Sequence, residues 1–157
     1  MQADCRHLPL PDESVHCIMF DPPFVISSGP SLTRDIQGQN IISKRFSSFP
    51  TPMNLFNFYS ESLVSFYRKL KSHGILIFKC QDTVSSSVQY LSHIYIHNMA
   101  IECGFYPKDL FILNAKCRVI SSKHLHQQHA RKYHSYFWVF EKDNPKLAKV
   151  QLFQHVT

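Results

Sequence analysis

The stretch MFDPPFVISS, residues 19–28, dictates where an element of this chain must end. Two consecutive prolines follow an acid at the close of an apolar run. Proline lacks a backbone N–H, holds φ near about −65°, and drives the residue before it out of the helical region. The chain therefore ends its strand or helix at Phe20 and leaves it stiffly, with Asp21 at the boundary. The run before it, residues 14–20 (SVHCIMF), is short, apolar and bounded by turn signals, which suits a buried strand.

The other periodic segments fall around this one. Residues 55–70 place Leu55, Phe58, Tyr59, Ser62, Leu63, Phe66 and Leu70 at spacings of three and four, one face of a helix, which His73 and Gly74 then end. A second buried strand follows at 75–80 (ILIFKC). Helical spacing returns from 88 and stops at Gly104. Strands at 109–116 and 134–142 close the pattern, with the basic, loop-like segment 117–132 between them. Strand and helix alternating in this way predict an α/β domain with a largely parallel sheet, its last two strands antiparallel because no long helix separates them. Residues 25–52, rich in Pro, Gly, Ser and Thr, read as a long surface loop.

Length and composition set the outer limits. A compact domain of 157 residues buries roughly 70% of the surface its unfolded chain exposes, and 44% apolar residues supply a core for it. No run reaches the roughly 18 apolar residues that span a bilayer, and the first residues carry no apolar core of a signal peptide, so an intracellular protein with no membrane partner is expected. Five widely spaced cysteines with no C-x-x-C pair predict reduced thiols. Cys117, His124, His126, His129 and His134 match no zinc spacing, so no metal is expected. Seventeen Lys and Arg against eleven Asp and Glu give +6, which admits an anionic partner such as a phosphate backbone.

In an α/β sheet, ligands bind beyond the carboxyl ends of the strands, and Asp21-Pro22-Pro23-Phe24 sits at such an end. There the sequence resembles the S-adenosylmethionine-dependent amino-group methyltransferases of the N6-adenine and N4-cytosine type, whose D-P-P-[YFW] signature follows the fourth strand of a Rossmann-like sheet. ADCRHLPLPDESVHCIMFDPPF is similar to that family's acid, connector, strand and signature, and FYRKLKSHGILIFK to its next helix, turn and strand. ECGFYPKDLFILNAK and HARKYHSYFWVFEK resemble the closing elements, so the match runs over roughly residues 2–142.

The resemblance implies a reaction and the residues for it. An exocyclic amine of adenine or cytosine is a poor nucleophile because its lone pair is delocalised into the ring. Asp21 and the Pro22 carbonyl would accept its N–H groups, with Pro22 and Pro23 fixing the carbonyl beforehand. Phe24 would stack on an extruded or single-stranded base, a contact of about 1–3 kcal/mol. Asp4, with Asp21, would face the cofactor S-adenosylmethionine. Lys79 would line the substrate mouth, the loop 25–52 would close over the base, and Lys44, Arg45 and Arg131 would track phosphates. Nucleic acid, DNA or RNA, is the expected partner. A protein amine, or a non-catalytic remnant that binds nucleic acid or another protein, is the alternative.

The sequence departs from the family in one respect. It holds four glycines, Gly29, Gly38, Gly74 and Gly104, and no G-x-G pair, so the glycine-rich loop that approaches the cofactor's methionine moiety is missing. The expectation is the C-terminal half of the methyltransferase sheet: about four strands with flanking helices, mostly parallel with an antiparallel final strand. Residues 1–142 would form the partial domain and 143–157 a tail. An upstream half would be lost or supplied by a complementary protein, strand 15–20 would present an unpaired edge, and the chain alone would bind S-adenosylmethionine weakly.

Overall fold

The computed structural model describes residues 3–26, 48–116, 129–130 and 132–154. A short 3-10 turn, Cys5–His7, precedes β1 (Val15–Phe20) and β2 (Val25–Ile26). After β3 (Ser48–Phe49) come α1 (Pro52–Lys69), β4 (Leu70–Cys80), a hairpin of β5 (Thr83–Ser85) and β6 (Val88–Tyr90), and α2 (Ser92–Cys103). The chain closes with β7 (Phe105–Asn114), β8 (His134–Lys142) and α3 (Leu147–Gln154). No helix among the described residues is long and apolar enough to cross a membrane.

The main sheet has the order β1-β4-β8-β7. β1 pairs parallel with β4, while β8 pairs antiparallel with both β4 and β7. Three strands thus run one way and only the last runs against them, the expected mix. β8 reaches its place between β4 and β7 by pairing Phe78 with Trp138 on one side and Leu110 with Trp138 on the other.

Each helix has a local cause. Thr51 caps α1 by accepting from the Asn54 backbone N–H at 3.2 Å, and Pro52 fills its first turn, where no N–H is needed. α2 ends at Gly104, whose φ of 106° places its N–H toward the Ala100 and Ile101 carbonyls. Two expectations need correction. Residues 88–90 form a strand, and the helix begins only at Ser92, because Val88 to Tyr90 pair with Thr83 to Ser85 before the helix can start. His73 and Gly74 do not end α1, which stops at Lys69. They lie within β4, where three residues of β1 (Val15 to Cys17) span six of β4 (Leu70 to Ile75), and His73 takes a φ of 61° to absorb the excess. Residues 147–154 of the expected tail are helical.

The core lies on one face of the sheet. Leu76, Phe78 and Phe140 point from the strands into Leu55, Tyr59, Leu63 and Phe66 of α1 and Ile96 and Ala100 of α2, all fully buried. Phe20 meets Phe66 and Phe78 edge to face, with ring centroids 4.8 and 5.1 Å apart. This packing anchors the end of β1 from which the Asp21 segment departs.

Candidate active site

β1 and β4 run side by side to the register pair Phe20 and Phe78. One residue further, the two chains place Asp21 and Lys79 next to each other, and Lys79 Nζ donates to Asp21 Oδ2 at 2.7 Å. Asp21 is half exposed, Pro22 is buried, and Pro23 and Phe24 are partly exposed. The stiffness read from the sequence is supplemented from the core: the buried Tyr59 hydroxyl donates to the Pro23 carbonyl at 3.0 Å. Burial raises the Tyr59 phenol well above its ordinary pKa, with Cys80 and Asp21 adding to the shift, so it stays a donor.

An open cleft of about 700 Å³ lies at this end of the sheet, lined by Ala3, Asp4, Cys5, Arg6, Phe20, Asp21, Pro22, Pro23, Phe49 and Phe58. Asp4 and Asp21, separate in sequence, therefore share one cavity. Asp4 caps the 3-10 turn, accepting from the Arg6 backbone N–H at 3.0 Å, and its carboxylate also takes Arg6 Nη2 at 2.7 Å. The Arg6 side-chain hydrogen bonds, with its backbone N–H, hold the Asp4 pKa down at about 2. Arg6 reaches on to Glu61 at 3.0 Å and lies 5.6 Å from the Phe58 ring centre.

Beside Lys79, at the end of β4, Asp82 pairs with His93 Nδ1 at 2.7 Å and accepts from the His93 backbone N–H at 3.3 Å. His93 in turn stacks on Tyr136 at 4.1 Å. This network ties the start of α2 to the same end of the sheet.

No family model matches the chain, and no protein of curated function matches its sequence. Solved structures do match its backbone. TTHA0409 of Thermus thermophilus, assigned as a DNA modification methylase, is similar at a TM-score of 0.59 and 17% identity, over 90% of this chain and 52% of that one. The same protein complexed with S-adenosyl-L-methionine gives 0.58 at 16% identity, over 90% and 54%. The cytosine-N4-specific PvuII DNA methyltransferase gives 0.57 at 14% identity, over 85% and 44%.

The fold is that of these methyltransferases. This chain spans about half the length of each solved structure.

Within this methyltransferase fold the predicted residues separate into three groups. Asp4, Asp21, Pro22 and Pro23 line the common cleft, and Lys79 joins them through Asp21. Phe24 follows directly on that lining. Lys44, Arg45 and Arg131 lie outside the described residues, as does most of the loop 25–52, whose two ends pair as the parallel strands β2 and β3. Of the histidines weighed for metal, His134 Nε2 lies 2.9 Å from the Tyr136 hydroxyl and His129 Nε2 lies 3.0 Å from the Ser87 carbonyl. Cys117, His124 and His126 lie outside the described residues.

Sequence reasoning missed four members of the site. Tyr59 was legible only as a core position on the helix, and its hydroxyl gave no sign of a partner 36 residues away. Arg6 stands two residues after Asp4, close enough for its pairing to be foreseeable. Asp82 and His93 carried no signal, because only the hairpin between them brings them together.

Proposed function

We propose that this chain is the substrate-facing part of an S-adenosylmethionine-dependent methyltransferase acting on an exocyclic amino group of a nucleic-acid base. One observation carries the reading: Asp21, Pro22 and Pro23 line a cleft that also holds Asp4, at the carboxyl end of β1, in a fold shared with DNA methyltransferases. The residues present suit one end of the cofactor. Asp4 is a carboxylate able to accept from an adenine amino group, and Phe49 and Phe58 give the cleft apolar walls. The methionine end lacks a glycine cradle in this sequence and is supplied from outside it.

S-adenosylmethionine, when bound, supplies an electrophilic methyl group on a sulfonium. The chain's own residues prepare the acceptor. The Asp21 carboxylate and the Pro22 carbonyl accept the two N–H groups of the amine and so favour the pyramidal nitrogen needed for attack. Tyr59 holds the Pro23 carbonyl, and with it the signature's backbone, before substrate arrives. Lys79 keeps the Asp21 carboxylate oriented through Oδ2, leaving Oδ1 for the amine. Phe24 stacks on the displaced base. The acceptor nitrogen would take the methyl group as its carbon–sulfur bond breaks, and the surplus proton left on that nitrogen would pass to solvent.

The test is transfer of a labelled methyl group to adenine- and cytosine-containing DNA and RNA oligonucleotides, and to protein, by the chain in its native assembly. Asp21→Ala lowers the rate by about 100-fold or more, the scale of losing one preorganised contact. Asp21→Ala with unaltered incorporation eliminates the assignment. A non-catalytic role in binding nucleic acid is favoured by the lack of any G-x-G pair, and incorporation into none of the acceptors selects it.

A further inference from the structure

Both main helices start at the rim that carries the cleft. α1 ends where β4 begins, so its first turns stand at the carboxyl ends of β4 and β1, and α2 leaves from the hairpin that follows β4. β5 of that hairpin lies against β2, directly after the signature. A run of ring contacts crosses this rim. It begins in the cleft wall, where the ring centres of Phe49 and Phe58 are 5.2 Å apart. Phe58 meets Tyr59 at 6.1 Å, and Tyr59 meets Phe56 at 6.3 Å. Phe56 then lies against Tyr95 of α2, stacked at 4.7 Å with the ring planes 29° apart, and Tyr90 of the hairpin is 6.2 Å from Phe56. Among the described residues Tyr95 ends the run, 48% exposed. The rim is poor in negative charge: residues 48–60 and 83–95 contain no Asp or Glu, and Asp82 is buried and held by His93. At the hairpin tip His129 Nε2 lies 3.0 Å from the Ser87 carbonyl, which brings His129 to the same rim.

We infer that Tyr95, backed by Phe56 and flanked by Tyr90, is a stacking platform for an unpaired base next to the target base, so that the chain takes its nucleic acid single-stranded. A planar uncharged ring offers any base a π-face without reading its edges. Phe56 already orders the Tyr95 ring from one side, so a base that adds to the stack does not have to fix it. A paired base inside a duplex has both faces covered by its neighbours, and only an unpaired one can use such a platform. Charge favours the same occupant. A rim without carboxylates, on a chain of net charge +6, accepts the phosphates that travel with the base, whereas a second copy of the chain brings another +6. The unbroken rings from Tyr95 to Phe58 give the strand a path of base-sized contacts into the cleft. The inference rests on the proposed function for the nature of the acceptor and extends it from the reacting base to its neighbour.

The experiment measures, by fluorescence anisotropy, how the chain in its native assembly binds short DNA and RNA oligonucleotides, each as a single strand and as the matched duplex. The expected result is tighter binding of the single strand, and the sugar that binds better names the acceptor as DNA or RNA. Tyr95→Ala weakens that binding about tenfold, the scale of one base–aromatic stack, while Tyr95→Phe keeps it. Val64→Ala, exposed elsewhere on α1, leaves it unchanged. On a strand with abasic sites on both sides of its only adenine or cytosine, Tyr95→Ala costs nothing further. Circular dichroism checks that Tyr95→Ala is folded. If it is not, bromouracil placed beside the target base of an unaltered complex decides the matter by crosslinking to the peptide that holds Tyr95. Unchanged affinity in a folded Tyr95→Ala, a preference for duplex, binding to no oligonucleotide, a crosslink that misses Tyr95, or a Tyr95 covered by another protein in the assembly overturns the inference. Single-strand binding that depends on Tyr95 without methyl transfer refutes the proposed chemistry alone. Methyl transfer at limiting oligonucleotide that ignores Tyr95→Ala refutes the platform alone.

Discussion

Arg6 holds the Asp4 carboxylate that the proposed function turns toward the cofactor. It occupies Asp4 through Nε, Nη2 and its own backbone N–H, at 3.1, 2.7 and 3.0 Å, so any amine that binds Asp4 shares it with Arg6 or displaces the guanidinium. The pair is exposed, and exposed ion pairs yield readily to competition. Its signature is electrostatic. The Asp4 carboxyl titrates at about 2 in the folded chain, and in Arg6→Ala it returns toward its ordinary value near 3.8, as carbon-13 NMR of the carboxyl resonance would report. Because the folded-state pKa is the depressed one, the contribution to stability is complete above the ordinary value and is lost as the pH falls toward 2. At the same scale, Asp21 was readable from its two prolines alone, since no continuing strand or helix tolerates them. Tyr59 was not, because a tyrosine on the buried face of a helix serves the core equally well whether or not its hydroxyl finds a carbonyl.

Elements were legible where one cause dominates. β8 begins at His134 and ends at Lys142, as its apolar run between polar flanks indicates. α1 follows its spacing of three and four, and its cap is visible as Thr51-Pro52. The turn between α2 and β7 was equally plain, because a glycine in the left-handed region is a usual way to stop a helix. That turn is also tightly built: a Cβ on Gly104 would lie 3.0 Å from the Tyr67 ring, on a backbone at φ 106°. Gly104→Ala therefore destabilises the chain by about 1–3 kcal/mol, from backbone strain and the displaced ring, seen as a lower urea midpoint at constant slope. The hairpin at β5 and β6 escaped the sequence because Val88 to Tyr90 carry the same residues a helix would use. Their pairing with Thr83 to Ser85 is a tertiary choice, outside the reach of spacing.

At the scale of the molecule, the cysteines report how unevenly it is enclosed. Cys17 is exposed on the face of the sheet turned away from α1 and α2, whereas Cys80 is buried in the core beneath the helices and Cys103 is partly buried. Burial pushes the Cys80 thiol far up and that of Cys103 to about 11. At pH 8, iodoacetamide therefore labels Cys17 first, with Cys80 and Cys103 following at least tenfold more slowly, as peptide mass spectrometry would read. Equal rates at all three would mean that the core opens as freely as the face. The edge position of β1 among the described residues was foreseen from the missing glycine loop. The exposure of Met19 and Phe111 on the face turned away from the helices was not, since alternating apolar residues in β1, β4 and β8 look the same in sequence whether one side of a sheet is covered or both.

The bond from Tyr59 to the Pro23 carbonyl crosses from the interior of α1 to the lip of the cleft. Anyone transplanting Asp21 to Phe24 onto another sheet would have to carry this helix with it. The four-residue signature is the visible tip of a two-part device whose second part is packed in the core, and a loop graft alone would reproduce its letters without its posture.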